Sequence, residues 1–186
     1  MSDNTDRFVV ITGGPGSGKS TLLAALEARG HFCLPEAGRA IIQAQVAIGG
    51  QALPWSDRSA FAELMLSWEI RSYETAKAKG GLAFFDRGVP DVAGYLRFIG
   101  LPVPAHIQKA VELYRYSPQI FIAPPWPEIF TQDRERKQDF DEAIRTCEAL
   151  AATYTAAGYE LIELPRVPVA ERVRFILERV LPNGPA

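Results

Sequence analysis

Short apolar runs alternate along the chain with longer stretches whose apolar residues recur at helical spacing. Five runs have the length and the branched or aromatic composition of buried strands: residues 8–12, 32–34, 82–85, 119–123 and 159–164. Strands that alternate with helices in this way are typical of an α/β fold with a parallel sheet. The pattern therefore predicts five strands with helices packed on both faces of one sheet.

The helical stretches between these runs have recognisable ends. Gly30 and Gly158 each close a helix, and Ser56 is the predicted N-cap of the longest one. The second helix is expected to place Ala37 and Ile48 near one face. The helices are predicted at about residues 19–28, 36–47, 57–79, 92–99, 106–114, 139–157 and 169–180.

The length, composition and net charge limit the number of domains and the class of partner. The chain has 186 residues, 47% of them hydrophobic, which fits one domain over residues 1–186 with disordered ends at about 1–6 and 182–186. The formal net charge of -2 gives no reason to expect a nucleic-acid partner.

No signal peptide and no run of about 20 apolar residues is found, so we expect a cytoplasmic protein without a membrane span. The two cysteines, Cys33 and Cys147, have no metal-ligand spacing and are interpreted as free thiols.

The segment that follows the first strand carries the most specific motif. Gly13, Gly18, Lys19 and Ser20 satisfy the pattern G-x-x-x-x-G-K-[ST], and a helix follows at once. Backbone N–H groups of such a loop point at phosphate oxygens, and the helix N-terminus adds positive potential. Lys19 would reach the β- and γ-phosphates and Ser20 would coordinate Mg²⁺. The predicted nucleotide-binding residues are Gly14, Pro15, Gly16, Ser17, Gly18, Lys19, Ser20 and Thr21.

Two further acidic residues lie at predicted strand ends. Asp86 ends the third strand, where P-loop proteins place an acid that holds Mg²⁺, and Arg87 beside it would contact an acceptor or its phosphate. The alternative is that Asp86 only caps the next helix. Glu36 follows the second strand and could accept a proton from an attacking hydroxyl, with Arg39 orienting the acceptor. The alternative for Glu36 is an ordinary acidic residue at a helix N-terminus.

A run of charged residues follows the fourth strand and the proline-rich segment at residues 124–127. Arg134 and Arg136 lie in it, within a predicted lid at about residues 126–138. Arginines that close over a nucleotide stabilise the charge of phosphoryl transfer, whereas most charge runs are solvated helix faces. Trp55 and Trp126 lie near loops and are expected to pack, or to border a substrate pocket. No guanine-reading Asn-Lys-x-Asp motif is present, so ATP is the expected donor and GTP stays open.

Taken together, these motifs resemble the P-loop kinases of nucleosides and nucleoside monophosphates. The stretches Pro35-Glu36-Ala37-Gly38-Arg39 and Asp133-Arg134-Glu135-Arg136-Lys137 are similar to a set of small bacterial ATPases labelled AAA. That set is in turn similar to the ribosylnicotinamide kinase domain of the bacterial NAD regulator. The resemblance implies a three-layer P-loop NTPase fold with a five-stranded parallel sheet of order 2-3-1-4-5 and an Arg-rich lid.

Two functions follow as hypotheses from this resemblance. One is a Mg²⁺-dependent kinase that transfers the γ-phosphoryl group of ATP to a nucleoside-like hydroxyl, with Lys19, Glu36, Asp86, Arg134 and Arg136 as catalytic residues and Glu36, Arg39 and Arg87 at the substrate. The other is a nucleotide-dependent switch, ATPase or GTPase that binds a protein or lipid partner. Either Glu36 or Asp86 would serve as the base. The acceptor pocket is expected around residues 54–55, 88–91 and 100–104, and the oligomeric state stays open.

Overall fold

A computed structural model describes residues 7–130 and 139–181. Five strands form one parallel sheet: β1 (Phe8–Gly13), β2 (Phe32–Leu34), β3 (Ala83–Asp86), β4 (Gln119–Ala123) and β5 (Glu160–Glu163). The strand order is β2-β3-β1-β4-β5. The predicted fold class and the order implied by the resemblance are both confirmed. The expected disordered ends and most of the expected lid, with Arg134 and Arg136, lie outside the described residues.

Seven α-helices accompany the sheet in the described part of the chain. They are α1 (Lys19–Glu27), α2 (Ala37–Ile48), α3 (Arg58–Lys79), α4 (Val89–Phe98), α5 (Ala105–Leu113), α6 (Phe140–Ala156) and α7 (Val169–Val180). A short 3₁₀ helix covers Pro127–Ile129. None of the helices described here has the length and apolar character that crossing a bilayer requires.

The three central strands, β3, β1 and β4, are buried on both faces because helices cover each side of the sheet. Side chains alternate between the faces with the period of two that extended backbone imposes. Val10 and Phe85 pack in the core beneath α3 to α6, whereas Ile11 and Phe84 pack in the core beneath α1 and α7. These central strands are therefore mostly apolar, as expected for a parallel sheet, whereas the edge strand β5 has a glutamate at each end.

Two details of the helices differ from the sequence-based expectation. The N-cap of α3 is Asp57 and not Ser56, because the Asp57 carboxylate accepts a hydrogen bond from the Ala60 amide at 2.9 Å. In α2 the buried side is formed by Ala37, Ile41 and Ile42, while Ile48 is 75% exposed. The helix ends in solvent, so its last turn has no core to pack against.

Parallel register brings three chain segments to one edge of the sheet. Ile11 of β1 pairs with Asp86 of β3, and Leu34 of β2 pairs with Phe85. The turn after β1, Asp86 itself and the Pro35-Glu36 segment after β2 therefore all lie at the carboxyl ends of neighbouring strands. Open α/β sheets bind their ligands at this edge.

The position of Phe84 in the core predicts how strongly its replacement lowers the free energy of unfolding. Phe84 is fully buried, whereas Leu113 in α5 is 63% exposed. Phe84→Ala should lower the free energy of unfolding by about 3–5 kcal/mol, because it removes buried apolar area and leaves a cavity. Leu113→Ala, the matched control, should stay within about 0.5 kcal/mol of the wild type. Urea unfolding followed by circular dichroism measures both, and equal effects of the two changes would contradict the assigned core.

Candidate active site

The loop between β1 and α1 has the compact form that its glycines allow. Gly16 and Gly18 have positive φ angles of 69° and 79°, a region that residues with a side chain rarely adopt. A β-carbon at Gly14 would lie 2.4 Å from the Ala143 carbonyl oxygen, and one at Gly16 would lie 2.5 Å from the Phe130 ring. The loop backbone therefore packs closely against α6 and against the segment after β4.

Lys19 is held inside this loop. Its Nζ donates to the carbonyl oxygens of Gly13 at 3.0 Å and Gly14 at 2.8 Å, and it lies 3.3 Å from the Ser17 hydroxyl. The residue is buried, while Ser20 and Thr21 at the start of α1 are exposed. The ammonium group of Lys19 is thus surrounded by the loop. The sequence motif predicts that the backbone amides of this loop bind phosphate.

A cavity of about 410 Å³ opens over the loop. The predicted residues Pro15 to Thr21 line one side of it, together with Glu36 and Arg39. Ile129 and Phe130, which lie within the predicted lid at about residues 126–138, also line it. The sequence did not predict the part of the wall at the start of α7: Val167, Pro168, Val169 and Arg172. Trp126 also lines this cavity, as its position near a loop suggested.

Arg172 joins this wall to the phosphate loop. Its Nη1 donates to the Ser17 carbonyl oxygen at 3.2 Å, and its guanidinium lies 5.8 Å from the centroid of the Trp126 ring. The side chain is buried, and burial lowers its pKa. No motif marks this residue, because a single arginine in a terminal helix resembles any surface cation in the sequence.

Asp86 lies buried at the end of β3, beside the loop. Its Oδ1 atom has no hydrogen-bond partner within residues 7–130 and 139–181. Burial raises the pKa of Asp86 to about 6; Lys19 and Arg87 oppose this shift, and Glu36 and Asp91 add to it. The carboxyl group is therefore mostly ionised at neutral pH, and an oxygen without a partner fits a hard cation such as Mg²⁺.

Arg87 connects the predicted carboxylate of Glu36 to a second carboxylate, that of Asp91. Its Nε lies 3.3 Å from Glu36 Oε1 and its Nη1 lies 3.2 Å from Asp91 Oδ1. Burial alone would lower the pKa of Arg87, but the charges of Glu36, Asp91 and Asp86 raise it overall. The backbone at Arg87 has a φ of 77°, which costs of order 1 kcal/mol or more for a residue other than glycine. Such strain is found often at functional sites.

The carboxylate of Asp91, which sequence reasoning missed, collects four donors. Thr12 Oγ1 and Arg87 Nη1 donate to Oδ1, and the Gly88 amide and the Tyr154 hydroxyl donate to Oδ2. The residue is buried in the first turn of α4. It also explains why α4 begins at Val89 and not at the predicted residue 92, since its side chain caps the Gly88 amide.

A further acidic residue, Glu69 of α3, is buried near this cluster. Burial raises the pKa of Glu69 well above its ordinary value, and the charges of Asp91 and Asp86 raise it further. Burial thus disfavours the charged form of Glu69. Within the described ranges, no set of three or more His, Cys, Asp and Glu side chains has a geometry that would hold a metal ion without other ligands.

A second and larger cavity, of about 1010 Å³, adjoins the first. Glu36 and Pro15 line both cavities, so Glu36 lies where the two meet. The walls of the larger cavity come from α2, α3, α4 and α6 and include Ile42, Val46, Trp55, Arg58, Phe61, Met65, Arg87, Tyr95, Phe98, Ile99 and Leu150. Pro54 and Trp55 line it as expected, whereas the predicted segments 88–91 and 100–104 do not. Residues 88–91 are buried, and Leu101 and Val103 pack against the core.

Arg39 and the two cysteines are the other residues with a sequence-based expectation. Arg39 is exposed at the wall of the smaller cavity and does not line the larger one. Cys33 and Cys147 are free thiols, as predicted. Burial raises the pKa of Cys33 to about 11, so its thiol stays protonated and unreactive.

A comparison with protein families matches most of the chain. A family model described as an AAA domain covers residues 8–172. The chain belongs to this family. A comparison with curated proteins gives no match. The AAA domain thus contains the phosphate loop, the Glu36–Arg87–Asp91 cluster and the wall that ends at Arg172.

Solved structures show the same fold. The NadR protein in complex with NR has a TM-score of 0.72 at 16% identity over 98% of this chain, which spans 52% of that chain. Deoxyadenosine kinase from M. mycoides, with the products dCMP and dCDP, has a TM-score of 0.67 at 12% identity, covering 94% of this chain and 99% of that one. Shikimate kinase from Acinetobacter baumannii, with shikimate, has a TM-score of 0.56 at 15% identity, covering 98% and 97%. The AAA domain of this chain therefore has a kinase-like P-loop fold.

The raised pKa of Asp86 predicts a pH effect on stability. Between an unfolded pKa of 3.8 and a folded pKa of about 6, the folded chain binds more protons at this carboxyl, so its stability falls as the pH rises. Asp86→Asn removes this titration. The free energy of unfolding of the wild type, minus that of the variant, should fall by roughly 1–3 kcal/mol between about pH 4 and pH 7. Urea unfolding at these pH values measures the difference, and a constant difference would contradict the assignment.

Proposed function

We propose that the chain is a Mg²⁺-dependent kinase that transfers the γ-phosphoryl group of ATP to a hydroxyl of a small, nucleoside-like acceptor. The observation that carries this proposal is the position of Glu36. One carboxylate borders both the cavity over the phosphate loop and the larger cavity beside it. A kinase needs a group at that junction, where the acceptor hydroxyl meets the γ-phosphoryl group.

The nucleotide is assigned to the smaller cavity. Backbone amides of residues 14–20 would bind the phosphates, with Lys19 at the β- and γ-phosphates. The apolar wall at Phe130 and Val167 to Val169 would contact the base. These apolar side chains do not distinguish adenine from guanine. ATP is proposed as the donor because the sequence has no guanine-reading motif, and GTP is the alternative.

Mg²⁺ is assigned to Ser20 and Asp86. The partnerless Oδ1 of Asp86 and the exposed Ser20 hydroxyl are oxygen ligands of the kind that Mg²⁺ binds, and the phosphates would supply others. When bound, the ion would neutralise charge on the β- and γ-phosphates. Arg134 and Arg136 are proposed to add positive charge at the transferred group.

Glu36 is proposed as the base in preference to Asp86. Glu36 lines both cavities, whereas Asp86 lines neither and is buried at the strand end. Arg87 holds the Glu36 carboxylate by a contact of 3.3 Å and is held in turn by Asp91. Arg87 also lines the larger cavity, where it would orient the acceptor.

A screen of small hydroxyl compounds for ATP-dependent phosphorylation tests the activity, with Lys19→Ala as the blank. On any acceptor so found, Glu36→Gln should lower kcat by about 10²- to 10⁴-fold, because the amide cannot accept the proton. The Kd for Mg·ATP should change by less than about threefold, since the phosphates are bound by the loop.

Glu74→Gln is the matched control, because Glu74 is an exposed carboxylate in α3. It should leave kcat and Kd unchanged. If ATP hydrolysis runs at its full rate with no acceptor present, the kinase proposal is wrong. If Glu36→Gln retains wild-type kcat, Glu36 is not the base.

A further inference from the structure

Two arginines of the described residues lie mostly buried at the candidate site, and they differ in their acidic partners. Arg87 contacts the carboxylates of Glu36 and Asp91 at 3.3 Å and 3.2 Å. Arg172, in the first turn of α7, is only 3% exposed, and within residues 7–130 and 139–181 it forms no ion pair. Its positive charge is therefore buried without a carboxylate partner from the described part of the chain.

A buried guanidinium costs folding free energy unless an opposite charge pairs with it, because it has lost its hydration. The Ser17 carbonyl oxygen at 3.2 Å and the Trp126 ring at 5.8 Å offset part of this cost for Arg172. Neither neighbour carries a negative charge, and burial accordingly lowers the pKa of Arg172. An anion bound beside this side chain would supply the charge that the described residues do not.

The hydrogen-bond donors of Arg172 are also largely unused. A guanidinium has five N–H groups in a planar fork. Among the described residues, one of them has an acceptor, since Nη1 donates to Ser17 while Nε has no partner. The side chain lines the cavity over the phosphate loop. Phosphate oxygens are the acceptors that a guanidinium binds most strongly, so this cation suits a phosphate group in that cavity.

The position of Arg172 points to one part of the phosphate chain. A β-carbon at Gly18 would lie 2.9 Å from Arg172 Nη1, so the guanidinium lies directly against the start of α1. The first turn of α1 has no acidic residue that would compete with a phosphate. Arg172 lines the smaller cavity but not the larger one, and the two cavities meet at Glu36. Since the γ-phosphoryl group is assigned to that junction, Arg172 lies nearer to the phosphates on the base side.

We infer that Arg172 binds the α- and β-phosphates of the nucleotide and that these phosphates neutralise its buried charge. This inference rests on the proposed function for the placement of the nucleotide in the smaller cavity. It goes beyond that function in assigning a phosphate-binding residue outside the loop between β1 and α1. ADP retains both of these phosphates, so Arg172 contributes to the binding of ADP as much as to the binding of ATP.

Arg172→Gln tests this inference, because the amide keeps a donor for the Ser17 carbonyl oxygen but removes the charge. The probes are ADP, ATP and tripolyphosphate, which has no base or sugar, in a buffer with EDTA so that no metal ion contributes. Calorimetric titration should give Kd values for all three about ten- to hundredfold above those of the wild type, as expected for the loss of hydrogen bonds between charged groups. The matched control is Arg174→Gln, which changes an exposed arginine of α7 that lines neither cavity and should leave each Kd unchanged.

The melting temperature of the unliganded variant gives the second arm of the experiment. Arg172→Gln should melt no lower than the wild type, because it removes a buried charge that has no opposite charge beside it. A clearly lower melting temperature, or a variant that does not fold, would mean that the charge already stabilises the unliganded chain and would overturn the inference. An unchanged Kd for tripolyphosphate would place Arg172 at the base or sugar, and a raised Kd for ATP with an unchanged Kd for ADP would place it at the γ-phosphate. Either result would also overturn it.

Phosphoryl transfer is measured separately from binding. If Arg172→Gln weakens binding of the three probes as expected but the wild type phosphorylates no acceptor, the inference stands and the kinase proposal loses its support. If an acceptor is phosphorylated but Arg172→Gln binds the probes like the wild type, the kinase proposal stands and the inference is wrong. If the wild type binds none of the probes, both are wrong.

Discussion

The Asp91 carboxylate accepts hydrogen bonds from groups in three parts of the fold. Thr12 belongs to β1, Gly88 and Arg87 to the turn before α4, and Tyr154 to α6. A buried carboxylate is costly unless its oxygens are paired, so these donors must stay in place together. The strand that leads into the phosphate loop, the turn that carries Arg87 and the helix behind Gly14 are thereby fixed relative to one another.

This arrangement explains how Glu36 is oriented without a rigid element of its own. Glu36 follows a strand of three residues and precedes α2, with extended backbone at φ -59° and ψ 130°. Its carboxylate is held by Arg87, and the guanidinium of Arg87 also contacts Asp91. The site thus depends on a chain of charges, Asp91 to Arg87 to Glu36, anchored in the core.

The fold and the phosphate loop could be predicted from the sequence because their signals are local. Strand composition, helix-closing glycines and the spacing from Gly13 to Ser20 each depend on neighbours in the chain. Asp91 and Arg172 carry no such signal for their distant contacts: Asp91 binds Thr12 and Tyr154, 79 and 63 residues away, and Arg172 binds Ser17, 155 residues away. Glu69 carries none because its pKa is set mainly by burial in the folded chain. The predicted N-cap of α3, Ser56, is one residue away from the observed N-cap, Asp57. Serine and aspartate are both good caps, so the sequence alone does not decide between them.

The sharing of Glu36 between two cavities has a thermodynamic consequence. Any ligand in one cavity that changes the position or the charge of this carboxylate also changes the affinity of the other cavity for its ligand. Linkage requires the two effects to be equal in size, so a nucleotide that tightens acceptor binding by some factor is itself bound more tightly by that factor once the acceptor is present. If the two cavities take the proposed nucleotide and acceptor, a coupling of this kind would pass through a single side chain and would need no movement of the domain as a whole.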